Sequence, residues 1–228
     1  ALITKYFENK IAKNFDIFTC TSKEEKKQIN NLYKINASVL PNGINIPKNI
    51  FKIKEIKKEF NYIFFCGNID YSPNYNSLKY LVNNIMPEVL KTNSNIKLII
   101  TGNKHLPFKK SFLINAGFVK KKIFFQYLKG ASLFVNPMKI TFGVQTKTLH
   151  SLALGKTIIS STYGVKGVKL NPYFKNVHIS NNTENFTSLI LKKINSPKTN
   201  KKIGNFYLKK YDMENVVKKF FKKHKLLS

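Results

Sequence analysis

The sequence predicts an α/β fold, a parallel sheet with helices on both faces. Three observations point there. Apolar runs of strand length, "YIFFCG" (62–67), "IKLIITG" (96–102) and "SLFVNP" (132–137), each close on Gly or Pro. They are apolar throughout rather than alternating, as strands buried on both faces are. Segments with helical periodicity lie between them, and strand–helix alternation at this spacing gives parallel pairing.

In chain order, residues 1–14 read as an amphipathic helix and "FDIFTC" (15–20) as a strand. Thr21 or Ser22 then caps a helix, "KEEKKQINNLYK", with Glu25 placed for a capping box if Ser22 is the cap. "ASVLPNGI" (37–44) is a short strand entering a Pro-Asn-Gly turn. The Lys-rich stretch 47–60 reads as a linker. After "YIFFCG", residues 72–91 form a helix with Leu78, Leu81, Val82, Ile85 and Leu90 on one face. "IKLIITG" follows, then "NAGFV" (115–119) as a short extended piece, a helix at 121–131 and the strand "SLFVNP". A helix at 144–154, a strand at 156–160, a Gly-punctuated loop at 161–170, a strand at 176–180 and a helix at 182–195 complete the alternation. The remainder is one or two basic amphipathic helices. Ligands of such sheets sit outside the carboxyl ends of the strands. Gly67-Asn68, Gly102-Asn103 and the segment from Pro137 to Lys147 all fall at those ends.

"LGKTIIS" (154–160) imitates the end of a phosphate loop but fails its requirements. The glycine needed five positions before Gly155-Lys156 is His150. The order is helix, glycine, strand, so Gly155 is expected to be a helix C-cap.

The formal net charge is +29, and every one of the 40 basic residues is Lys. Lys, Asn and Ile are what an AT-rich gene writes by default. A dedicated nucleic-acid reader would be expected to use Arg, so nucleic acid ranks last among the expected partners. The charge nonetheless attracts nucleotides, phosphosugars and anionic membranes. No apolar run approaches the ~18 residues needed to span a bilayer. The N-terminus has no sustained apolar core of a signal peptide. It lacks an initiator Met and starts as if within a helix, so the expectation is a piece of something longer or a truncated gene product. Cys20 and Cys66 lie in separate apolar runs and read as buried free thiols.

Carboxylates are scarce: Asn61 to Asn181 contains only Asp70 and Glu88, read as a turn residue and a helix-surface charge. His105, His150, His178 and His224 lack metal-ligand spacing. No metal and no cofactor are therefore expected. What remains is cationic. Lys147 opens a helix after a strand and a loop, where an ammonium and free backbone amides suit a diphosphate. His150 lies on the same helix face.

The residues "LPNGINI", "FFCGNIDYSPNYNSLKYLVNNIMPEVLK", "IKLIITGN", "AGFV" and "ASLFVNPMKITFGVQTKTLHSLALGKTIISSTYGVKGVKL" occur in an order and spacing that resembles the C-terminal half of family 4 retaining glycosyltransferases of the GT-B fold. The resemblance covers about four-fifths of the chain. It implies two Rossmann-like domains with the active site between them. One is an N-terminal acceptor domain carrying the group beside the reacting carbon, the other a C-terminal domain holding a nucleotide-sugar without a metal. Residues 1–43 would be a remnant of the first domain and its hinge. Residues 44–210 would be the donor-binding Rossmann-like domain, and 211–228 a helix crossing back. The catalytic residues would lie in the portion of the first domain that this sequence does not include.

The resemblance further implies that Gly67 and Asn68 face the donor phosphates, that Gly117, Phe118 and Val119 line the base, and that Lys147 faces the diphosphate. Lys147 is expected at a mouth shared by the Gly67 and Pro137 loops. Four positions depart from the family's residues. His150 stands where the family has a ribose-gripping Glu, Phe142 where it has an earlier Glu, Thr141 where this branch has Gly, and Lys166 where it has the Glu of Gly-x-Glu-Gly. The expected partners are a nucleoside-diphosphate sugar, a glycan or lipid-linked acceptor, and an anionic membrane surface on the cytoplasmic side. The alternative is a degenerate, non-catalytic binding module that kept the fold.

Overall fold

The computed structural model describes residues 2–12, 14–47, 49–141, 143–195 and 199–225. Its main body is a six-stranded, wholly parallel sheet. The strands are β3 (Tyr62–Cys66), β4 (Lys97–Thr101), β5 (Leu113–Asn115), β6 (Leu133–Asn136), β7 (Ile158–Ser160) and β8 (Val177–Ile179), in the spatial order β5-β4-β3-β6-β7-β8. From β3 the chain winds outward to β5, returns to pair β6 with β3, and winds outward the other way. The order reverses between β3 and β6, and the crevice of an open parallel sheet opens at such a reversal.

Side-chain alternation divides the core. Tyr62, Phe64, Phe134 and Ile158 face one cluster with α5 (Lys121–Gly130), α6 (Thr146–Ala153) and α8 (Lys201–Tyr211). Ile63, Phe65, Leu98, Ile100, Leu133, Val135 and Ile159 face the other, with α3 (Ser72–Tyr80), α4 (Met86–Thr92) and α7 (Thr183–Lys193). Both faces are covered, which is why the strands read as unbroken apolar runs. A fully buried Phe or Leu contributes about 1.5–3 kcal/mol, so the two clusters dominate stability.

Residues ahead of the main body form a smaller unit. α1 (Leu2–Ala12) precedes β1 (Thr19–Cys20), α2 (Lys23–Tyr33) and β2 (Ser38–Val39), and β1 and β2 pair in parallel. Only Thr19 and Cys20 of the expected strand 15–20 pair, because β2 offers just two residues opposite them. Ser22 caps α2, its hydroxyl accepting from the Glu25 amide at 3.1 Å. The Glu25 carboxylate reaches back to the amide and hydroxyl of Thr21, at 2.8 and 2.7 Å, one residue earlier than in the standard reciprocal box.

The stretch 49–60 is not a free linker. Ile50 is buried, and the Lys129 ammonium on α5 donates to the carbonyls of Phe51 and Ile53, each at 2.8 Å. The expected helix 72–91 is interrupted by a π-helical segment, Leu81–Ile85. The expected extended piece 115–119 is displaced: β5 is Leu113–Asn115 and the following residues form a loop. The two sequence boundaries near residues 43 and 211 meet in space. Ile44 donates to Tyr211 and accepts from Met213, just before α9 (Met213–Lys223).

Gly155 closes α6 with the left-handed cap expected of it, at φ +62°. Its amide donates to Leu152 and that of Lys156 to Ser151, the paired bonds of a Schellman cap. Among the described residues no helix is long and apolar enough to cross a membrane.

Candidate functional site

A cleft of about 400 Å³ opens over the carboxyl ends of β3 and β4. Cys66, Gly67, Thr101 and Gly102 form its floor, and Val119, Phe124, Lys147 and His150 are among its walls. The strands place their last residues there because each strand ends at a glycine. At Gly67 the backbone takes φ +147°, and an added Cβ would sit 2.8 Å from the Asn74 side chain. The glycine thus lets α3 come close to the strand end.

Lys147 occupies the first turn of α6 and is 8% exposed. Its ammonium donates to Asn74 Oδ1 at 2.8 Å and lies 4.8 Å from the centre of the Phe65 ring. Asn74 takes one of its three N–H groups, and the others have no acceptor among the described residues. Burial pulls its pKa down to about 8, against a small opposing effect of the Cys66 thiol. The same burial pushes the Cys66 thiol up to about 11. Among the described residues the Thr146 and Lys147 amides in the first turn of α6 have no backbone acceptor, and the positive end of the helix also faces this region.

Asn74 is the hub of the floor. While accepting from Lys147 it donates to the Asn68 carbonyl at 2.9 Å. Asn103 binds the other side of the same turn, donating to the Gly67 carbonyl at 2.9 Å and accepting from the Ile69 amide at 2.8 Å. Asn74 and Asn103 were not singled out as side chains with a role. Their sequence signal is slight, a carboxamide in a helix's first turn and another just past a strand end.

His150 lies about one α6 turn beyond Lys147 and lines the cleft. Its ring meets Phe124 and Phe125 edge-on, at centroid separations of 5.7 and 5.5 Å. Neither ring nitrogen has a hydrogen-bond partner among the described residues. Burial and then the nearby Lys121 charge lower its pKa to about 4, so it is neutral at ordinary pH.

The expected site residues are thus distributed in two layers. Gly67, Phe118, Val119, Lys147 and His150 line one cleft. Phe118 stands 70% exposed at its edge. Asn68 and Gly117 support it from behind. The Asn68 side chain accepts from the Asp70 amide, and the Gly117 carbonyl accepts from the Gly102 amide at 2.9 Å. The mouth is not shared with the Pro137 loop, as the sequence had led us to expect. Pro137 lines a separate cavity beside Tyr80, because α3 and its Asn74 stand between. Thr141 and Lys166 face the first turn of α2 across a small cavity of about 140 Å³. Phe142 lies outside the described residues.

The lining carries two ammonium groups, Lys121 and Lys147, and no carboxylate. Such a surface is complementary to a compact, multiply charged anion. Among the described residues no three His, Cys, Asp or Glu side chains come together as a metal site.

Comparisons with known proteins agree with this architecture. A curated relative, "Uncharacterized 44.6 kDa protein in cps region" of Klebsiella pneumoniae, is 26% identical over 239 residues, spanning 98% of this chain and 60% of the relative. Among solved structures, S. aureus TarM in complex with Fondaparinux, alpha-GlcNAc-glycerol and UDP superposes with a TM-score of 0.69 at 13% identity, over 96% of this chain and 45% of TarM. Sucrose-phosphate synthase from Thermosynechococcus elongatus gives 0.72 at 14%, over 99% of this chain and 62% of the enzyme. Anabaena Alr3699/HepE in complex with UDP-glucose gives 0.65 at 9%, over 98% and 67%. These likenesses show the GT-B fold, and the chain spans less than two thirds of the Klebsiella relative, TarM and the synthase. The model of the family "Glycosyl transferases group 1" matches residues 61–192, more than half of the sequence and all of the sheet. The chain belongs to the group 1 glycosyl transferases.

Proposed function

We propose that the cleft holds a nucleoside-diphosphate sugar and that the chain supplies the donor-binding half of a retaining, metal-independent glycosyltransferase. One observation carries this reading: a nearly buried ammonium, Lys147, with unspent N–H groups in a cleft lined by no carboxylate. The diphosphate would lie between Lys147 and the Gly67 turn, where the ammonium and the α6 amides offset the charge that develops on the leaving group. The ribose would sit near His150 and the base along Phe118 and Val119. Support comes from neighbours solved with UDP or UDP-glucose.

The role we assign is the building of surface polysaccharide or lipid-linked glycans, in keeping with a relative from a cps region. The unit 1–43 would belong to an acceptor domain and the helix from 211 onward would return to it. The Lys-rich exterior would rest against an anionic membrane on the cytoplasmic side. His150 favours a second reading, a non-catalytic module. A neutral imidazole offers ribose hydroxyls one acceptor where a carboxylate offers several.

Calorimetric titration with UDP- and GDP-sugars tests the first reading. Binding that falls at least tenfold in Lys147→Ala is the expected result. Absence of binding, or binding indifferent to Lys147, overturns it. A gain in affinity for His150→Glu would place the chain among weakened sites and favour the second reading.

A further inference from the structure

The carboxyl end of the sheet carries a second recess, on the far side of α3 from the nucleotide cleft. A groove of about 410 Å³ runs along α3 and the π-helical segment, and a cavity of about 200 Å³ continues it over the ends of β6, β7 and β8. The two share Tyr80 and Lys139 and share no residue with the nucleotide cleft.

Three features of its lining point to one kind of ligand. The first is a held aromatic surface. The Tyr80 hydroxyl pairs with Thr183 Oγ1 at 2.8 Å, and the Lys139 ammonium lies 4.5 Å from the ring centre. The second is a density of uncharged donor–acceptor groups. Asn83 and Asn84 stand exposed in the π-helical segment, and Asn76 lies one turn before it. A carboxamide both donates and accepts, which matches sugar hydroxyls. π-Helical insertions cost regular hydrogen bonding and collect at functional sites. The third is charge: Lys79 and Lys139 line the groove and no carboxylate does.

We propose that this groove binds an acidic glycan, with a sugar ring against Tyr80 and its neighbours, hydroxyls on the asparagines and a carboxylate or phosphate between Lys79 and Lys139. The proposal takes from the preceding reading only the choice of carbohydrate as the ligand class. It places a length of anionic polysaccharide, free or lipid-linked, beside the cleft that would hold the activated sugar. The geometry requires no chemistry of the groove itself.

The test uses the 228-residue chain and tetragalacturonic acid, with its carboxyl-reduced, neutral counterpart as control, followed by saturation-transfer NMR and calorimetry at 150 mM salt. The acidic tetrasaccharide should bind and the neutral one should bind at least fivefold more weakly. Lys139→Ala and the surface double variant Asn83→Ala/Asn84→Ala should each weaken binding at least fivefold and leave UDP binding unchanged. Lys218→Ala/Lys219→Ala on α9 and Lys147→Ala should leave tetragalacturonate binding unchanged. Failure of the acidic tetrasaccharide to bind overturns the proposal. So does equal loss in the α9 variant, which would mark attraction to lysines in general. UDP binding without tetragalacturonate binding would sink this inference and spare the nucleotide cleft, and the reverse result would do the opposite.

Discussion

Lys147 has a property that most of the 40 lysines lack: burial lowers its pKa to about 8 from an ordinary 10.5. Two consequences follow, of opposite sign. For the folded protein alone, keeping this charge buried costs stability. The cost is present in full below about pH 8 and is relieved as pH rises toward 10.5, because there the unfolded chain binds the proton and the folded chain does not. For an anionic ligand the charged form is the useful one. Nucleotide affinity should therefore be level below pH 8 and fall above it, approaching about tenfold per pH unit for a single linked proton. Calorimetry between pH 6 and 9.5 checks this, with Lys147→Arg expected to hold its affinity at high pH. A wild-type profile flat through pH 9 would remove Lys147 from the site. His150, held near 4, should put no inflection between pH 5 and 7.

At the scale of the element, the joint between α6 and β7 decides where Lys147 stands. Gly155 ends the helix in a left-handed conformation, and an added Cβ would lie 1.9 Å from the Asn200 carbonyl oxygen. That carbonyl belongs to the N-cap of α8, whose own amide donates to the Gly155 carbonyl at 2.9 Å. Gly155→Ala combines a conformational cost of about 1 kcal/mol with a backbone collision that only separation of α6 from α8 relieves. The expected loss is on the order of 3 kcal/mol, read from urea denaturation. A loss below ~1 kcal/mol would show that the joint is not rigid. The phosphate-loop resemblance of this segment is thus an accident of a helix stop: Lys156 is buried and donates to the Ala131 carbonyl at the end of α5.

Across the whole molecule the charge is unbalanced. With 40 lysines against 11 carboxylates, few ammonium groups can be paired. The ion pairs of Lys91 with Glu88 and of Lys218 with Glu214 are exposed helix contacts and are worth little. Self-repulsion therefore opposes folding, and salt screens it. The melting temperature should rise by several degrees between about 20 and 300 mM sodium chloride. Stability that falls with salt would mean attractive pairs dominate.

The alternation of apolar runs and helices was legible in the residues, since a strand buried on both faces has no freedom to be polar. So were Gly155 as a stop, Thr21 or Ser22 as a cap, and Gly67 and Lys147 as neighbours of a sheet's carboxyl end. Each depends on backbone conformation or local periodicity, which a few adjacent residues determine. The tertiary structure alone decided which distant pieces share a wall. Asn74 meets Lys147 across 73 positions, and α3 thereby divides the Gly67 mouth from the Pro137 cavity. The π-helical widening that presents Asn83 and Asn84, and the burial that lowers Lys147, were equally hidden. Side-chain burial and long-range hydrogen bonds are products of packing, and no local stretch of sequence encodes the partner it will meet.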